Sequence, residues 1–227
     1  MGSEPAANDA ARAMRRAALI LLTAVLSCVF AQAGKAAGGS YVFQGGTPSE
    51  RTQVVSALNV SSFDWSLIPQ TITVHIGAYG DSYSTYGNVY LDGSLLDAGE
   101  FSWGVVQHEF GHQVDFFLLD DAKRAILQQA LGGKDWCYEV PGLQHSDNAC
   151  ERFASELAWA YWPSPENCMR PTPQDEEGGE MPVAAFRSLL AQLIGAPNTV
   201  EPPTTTKAYA PPVNVKTPAK KKPLRVQ

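Results

Sequence analysis

His108-Glu109-Phe110-Gly111-His112 is the stretch on which the reading of this chain turns. On a helix, residues four apart sit about 40° from each other around the axis, at about 100° per residue. Both imidazoles therefore leave one face, and a nitrogen of each can reach one ion about 2.0–2.1 Å away. Glu109 lies about 100° from His108 and about 60° from His112. It stands beside such an ion, placed to polarise its water rather than to bind the metal. The flanks support a helix. From Glu100 to Leu119 there is no proline, and the only glycines are Gly104 and Gly111. Trp103, Val106, Phe110, Val114 and Phe117 cluster on the side opposite the histidines, which gives the helix a back to bury. Such a helix suits a zinc peptidase.

A catalytic zinc keeps three protein ligands and one open position. The metzincin pattern would need glycine at 115 and His or Asp at 118, where this chain has Asp115 and Leu118. A G-T-x-D-type segment, the mark of the aspartate-ligand class, is absent. What is present is Glu151-Arg152-Phe153-Ala154-Ser155-Glu156, starting 39 residues after His112 within a second expected helix. Its two glutamates lie about 140° apart, so they cannot both face one ion. Glu151 shares its face with Ser155, Ala158 and Trp162, and small residues there allow close approach of the His108 helix. Glu156 stands four after Arg152, as in a solvated ion pair. Glu151 is therefore expected to be the third ligand.

His108-Glu-Phe-Gly-His112-x-x-Asp115 followed by Glu151-x-Phe-Ala resembles the glutamate zincins, and most of all the lethal-factor-type secreted metallopeptidases. The resemblance covers roughly residues 100–162. It implies zinc on His108, His112 and Glu151, with Glu109 as general base. It also implies an edge strand above the cleft, where an extended peptide pairs by its backbone; Asn88 to Leu91 is the expected counterpart. The family has a Tyr or His that stabilises the developing oxyanion. The tyrosine found seven residues before the glutamate in lethal-factor-type proteins is Gln144 here, so His145 is the expected substitute and Tyr138 the alternative. Asp115 either orients a ligand imidazole or makes a cap or surface ion pair. His75, inside a strand, reads as structural. Tyr79, Tyr83, Tyr86 and Tyr90 either line the cleft or pack in sheet and loop.

The 227 residues begin with an export pattern. Arg15 and Arg16 precede an uncharged apolar run from Ala17 to Phe30, and Ala31-Gln32-Ala33 supplies a cleavage site, expected after Ala33. Met14 would start a more typical signal. Leu26-Ser27-Cys28 is a poor lipoprotein match, and the run is short for a membrane span. Export permits disulfides. Of Cys137, Cys150 and Cys168, the last two stand at opposite ends of the expected second helix, too far apart to meet easily. Cys137–Cys150 is the preferred pairing. Residues 34–196 carry 8 Lys and Arg against 20 Asp and Glu, a net of −12. That acidic body argues against nucleic acid as a partner. Residues 197–227 carry 6 against 1 and are rich in proline and threonine, too polar to fold alone. They read as a solvated basic tail, or as one that contacts an anionic cell surface.

Thr47-Pro48-Ser49-Glu50 opens a helix to about Leu58. Thr71 to Ile76 reads as a strand, Gly77 to Gly87 as a loop, and Asn88 to Leu91 as a short strand. Asp121 to Leu131 and Val183 to Ile194 are further helices, the last with Phe186, Leu189, Leu190 and Leu193 at helical spacing. The expected fold is α+β: a single zincin-like domain over 34–196, with a small sheet, an edge strand over the active-site helix and a C-terminal helical part. The expected protein is a secreted, monomeric zinc endopeptidase acting on proteins or peptides. A zincin-fold binding module with little turnover, and a hydrolase of cell-wall or other non-protein amides, are the competing readings.

Overall fold

Thr47 caps the first helix as the sequence predicts. Its Oγ1 accepts from the Glu50 amide at 3.3 Å, and Glu50 Oε2 accepts from the Thr47 amide at 2.5 Å. Each satisfies a donor that a helix N-terminus leaves open. This helix, α1, spans Pro48–Val60 in a computed structural model that describes residues 34–35, 39–171 and 177–199. The export segment 1–33 lies outside the described residues, as do 172–176 of the acidic loop and the basic stretch from 200 onward.

The sheet is mixed. Its strands are β1 (Gly34–Lys35), β2 (Ser40–Gly45), β3 (Ile72–Gly77), β4 (Tyr83–Thr85) and β5 (Asn88–Asp92), in the order β1-β2-β3-β5-β4. Strands β2, β3 and β5 run parallel, with Phe43 opposite Val74 and Val74 opposite Val89. α1 is the crossover from β2 to β3. Alternation decides the faces: Ile72, Val74 and Ile76 of β3 and Val89 and Leu91 of β5 are buried, whereas Thr73, His75 and Tyr90 lie on the other face. His75 is structural there, bonded to Asn88 at 2.9 Å and stacked on Tyr90.

Two strand expectations need correction. Asn88 to Leu91 is not an edge strand, because β3 flanks it on one side and β4 on the other. The edge is β4, antiparallel to β5, within the segment read as a loop. Polar Ser and Thr between tyrosines hide a strand whose inner face carries only Ser84. β2, too, carried no clear signal in the sequence.

The short helix α2 (Gly93–Leu96) leads into α3 (Phe101–Leu118), which carries the two histidines. Val106, Phe110 and Val114 of α3 join the buried cluster with Val54 and Leu58 of α1 and the inner residues of β3. Trp65 closes this core, 5.6 Å from the Phe110 ring and bonded through Nε1 to Leu58 O. The C-terminal part holds α4 (Asp121–Leu131), α5 (Ala149–Tyr161) and α6 (Val183–Ile194). Phe153 of α5 meets Phe186 of α6 at 6.2 Å between ring centroids.

Helices α3 and α5 pack closely because Gly111 has no side chain. A Cβ there would stand 3.0 Å from Ala154 Cα and 3.2 Å from Ala154 Cβ. Small residues on both helices thus set the approach, with Ala154 rather than Ala158 at this contact. Arg187 of α6 is fully buried and ties the end of α5 to the chain beyond α6. It donates to Ala160 O, to Ser62 Oγ and to Thr199 O, and its guanidinium lies 4.5 Å from the Tyr161 ring centroid. Among the described residues no helix is long and apolar enough to cross a membrane.

Candidate metal centre

One turn of α3 and the first turn of α5 bring three side chains to a point. His108 Nε2 is 3.1 Å from Glu151 Oε2, His112 Nε2 is 3.2 Å from the same oxygen, and the two Nε2 atoms are 3.2 Å apart. The triangle is nearly equilateral. Ligands about 2.0–2.1 Å from a tetrahedral zinc stand about 3.3–3.4 Å from one another. His108, His112 and Glu151 could therefore hold one metal ion, and all three are buried. The donor set, two imidazoles and a carboxylate with one side open to a cleft, suits zinc.

The electrostatics follow from that crowding. Burial opposes charge on Glu151, but hydrogen bonds from His108, His112 and His145 outweigh it and hold its carboxyl far below the usual range. Burial works against a charged His112, yet Glu151 wins there too and its pKa stands raised. His108 Nδ1 lies 3.0 Å from Ser155 Oγ. Were Nε2 to hold an ion, Nδ1 would carry the proton and donate to that hydroxyl, which would fix the ring.

Glu109 sits beside the triangle, as its helical position predicts. Ser84 Oγ lies 2.9 Å from Glu109 Oε2 and 2.9 Å from Glu109 O, so its single proton serves one at a time. The cleft has a volume of about 370 Å³ and is lined by Asp81 to Ser84 from the β4 side, by the α3 residues His108, Glu109, His112 and Phe116, and by Cys137, Tyr138, His145 and Glu151 opposite. Of the four tyrosines read as a group, Tyr83 lines the cleft, while Tyr86 packs on Phe117. Gln113 holds the edge strand over α3. Its Nε2 donates to Thr85 O and Asn88 O at 3.0 and 3.1 Å, and its Oε1 accepts from Gly87 N at 2.9 Å.

His145 and Tyr138 both reach the site. His145 Nε2 is 3.2 Å from Glu151 Oε2, and its Nδ1 is 2.5 Å from Glu177 Oε1. Those two carboxylates push its pKa up to about 10. Tyr138 has a left-handed backbone, φ 57°, and its amide donates to Asn148 Oδ1. Burial and the charge of Glu151 push its phenol well above the ordinary value. A disulfide joins Cys137, the residue before Tyr138, to Cys150, the residue before Glu151, with Cα atoms 5.4 Å apart. Cys168 lies outside the bridge, as the preferred pairing requires.

Two further expectations change. Glu156 is not in a solvated pair with Arg152. It is fully buried and accepts from the amides of Gly179 at 2.6 Å and Met181 at 3.3 Å, and burial raises its pKa. Arg152 pairs instead with Glu180. The angular separation of the two glutamates was legible, but the chain that folds back over Glu156 was not. Asp115 bonds Arg124 Nε at 2.8 Å and Trp136 Nε1 at 3.1 Å, so the ion-pair reading holds, in a buried rather than surface form. The residue that meets the His108 imidazole is Ser155, and the one that meets Glu109 is Ser84. Single serines in polar sequence give no signal of such roles.

Comparison with known protein families, with characterised proteins and with solved structures finds no match to this chain.

Proposed function

We propose that the chain is a secreted zinc endopeptidase of the glutamate-zincin kind, with zinc on His108, His112 and Glu151. The observation that carries this reading is the 3.1–3.2 Å triangle of two imidazole nitrogens and one carboxylate oxygen, open to a cleft on the side where Glu109 stands. A zinc ion bound there supplies Lewis acidity toward water and toward a substrate carbonyl. Glu109 takes the proton of the attacking water and later gives it to the leaving amine. Ser84 holds Glu109 in place. The exposed edge of β4 offers backbone groups to an extended peptide. His145 donates to the oxyanion that forms on the carbonyl, with Tyr138 as the alternative donor across the same cleft. The disulfide is compatible with an extracellular protein.

The test is zinc content together with cleavage of a peptide library. The native protein is expected to carry about one zinc per chain and to lose activity to chelators. Glu109→Gln keeps the zinc and loses at least about a hundredfold in turnover, since an amide cannot take the proton. Undiminished turnover in metal-loaded Glu109→Gln protein would sink the mechanism. Comparing His145→Ala with Tyr138→Phe decides the oxyanion donor: the larger fall in kcat marks it.

A further inference from the structure

Behind Glu151 the cleft wall holds a second set of metal-ligating atoms. Cys137 Sγ, Cys150 Sγ and a carboxylate oxygen of Glu151 all lie within 4.8 Å of one another. Cys150 Sγ is 3.8 Å from Glu151 Oε1, whereas the two histidines face Oε2. One carboxylate thus turns one oxygen to imidazole and the other to sulfur. In the oxidised chain the sulfurs are bonded to each other and cannot act as thiolates.

The two segments that carry the cysteines are held together without that bond. Lys134 N donates to Asp147 O at 2.7 Å, Ala149 N to Asp135 O at 2.9 Å, and Cys150 N to Trp136 O at 2.8 Å. Tyr138 N donates to Asn148 Oδ1 at 2.8 Å. These bonds lie before and after Cys137 and reach Cys150 itself, so opening the bridge leaves Cys137 and Cys150 facing each other beside Glu151.

We propose that reduction of the Cys137–Cys150 bridge opens a second zinc site, made of the two thiolates and Oε1 of Glu151 and joined to the histidine site through one carboxylate. A dithiol supplies the two electrons and two protons; it leaves as its cyclic disulfide, and Cys137 and Cys150 become thiols. Zinc then displaces both thiol protons to solvent. Two thiolates favour zinc over harder cations, and water completes the fourth position. A metal on Oε1 draws charge away from Oε2, which weakens the hold of His108, His112 and Glu151 on the first ion. The inference shares Glu151 with the peptidase reading, but its first readout is ligation and needs no turnover.

The experiment compares the full chain in oxidised and dithiothreitol-reduced form, freed of reductant and loaded with two equivalents of zinc. Zinc X-ray absorption is expected to show a sulfur shell at about 2.3 Å in the reduced chain alone. A His108→Ala/His112→Ala chain is expected to bind no zinc when oxidised and one when reduced. Cys137→Ser/Cys150→Ser lacks the sulfur shell in either state. In the peptide assay, added zinc is expected to lower turnover of the reduced native chain by about tenfold or more, and that of the double-serine chain less. A reduced native chain without a sulfur shell overturns the proposal. If the oxidised chain binds no zinc, the peptidase reading fails, while a sulfur shell on reduction still supports this one.

Discussion

Ser84 Oγ lies 2.9 Å from Oε2 of Glu109, and Ser84 is the inward-facing residue of the edge strand β4. The edge strand therefore also holds the proposed base. Ser84→Ala is expected to lower kcat about tenfold while zinc content stays at one per chain, because only the orientation of Glu109 is lost. Steady-state kinetics on metal-loaded protein check this. An unchanged kcat removes Ser84 from the mechanism.

The two glutamates of α5 should part company on substitution. Glu151→Ala is expected to lose the metal while remaining folded. Glu156→Ala is expected to keep zinc but lose about 1–3 kcal/mol of stability, since it removes the buried acceptor that ties down the amides of Gly179 and Met181. Zinc analysis and denaturant unfolding read the two effects separately. If Glu156→Ala alone strips the zinc, the ligand assignment is wrong.

Gly111→Ala tests the helix contact. Alanine favours a helix by about 1 kcal/mol over glycine. Here its Cβ would press on Ala154 Cα at 3.0 Å, and overpacking of this kind costs about 1–3 kcal/mol. The expected result is lower stability and weaker zinc binding, because moving α5 moves Glu151. A more stable Gly111→Ala protein with unchanged zinc affinity would show that the helices separate at no cost.

Contacts with the helical part run on past Ala196, where the domain is expected to end. Tyr161 Oη donates to Pro197 O at 3.0 Å, and Arg187 donates to Thr199 O. A chain ended after Thr199 is expected to be more stable by about 1–3 kcal/mol than one ended after Ala196, which lacks both of those acceptors. Equal unfolding midpoints for the two would dismiss the contacts.

Asp92 should make the domain acid-sensitive. The Ser94 hydroxyl, then the Gly80 amide, together with the amides of Ser94 and Tyr79, hold its carboxyl down to about 2, against an ordinary 3.8. A folded-state value below the unfolded one gives stability that is present above about pH 4 and lost as pH falls toward 2. Asp92→Asn is expected to flatten that part of the stability profile. Parallel acid curves for the two proteins would exclude the group.

What was legible in the sequence followed from periodicity and local chemistry. The histidine helix, the α1 cap and the choice of Glu151 needed only spacing on a helix and the Thr47–Glu50 pattern. For the bridge, a limit on how far two cysteines can reach set Cys150–Cys168 aside and made Cys137 the shared partner, but did not choose between Cys150 and Cys168. The edge strand was missed because β4 is three residues long and polar on its inner face. Glu156 was misread because its partners are backbone amides 23 and 25 residues away, which no side-chain pattern reports. Ser84 and Ser155 acquire their roles only when strand and helices close over the cleft.

Helix α5 is loaded with opposite charge at its two ends. Glu151 stands in its first turn, and the Arg187 guanidinium sits on Ala160 O in its last. Peptide dipoles leave partial positive charge at a helix N-terminus and partial negative charge at its C-terminus. Both side chains are thus placed with the field. Arg187 meets only neutral oxygens and a ring face among its bonded partners, so its charge is spent on the helix end rather than on a carboxylate. The helix behaves as a polarised rod, and each charged side chain is favoured by the partial charge of its own end.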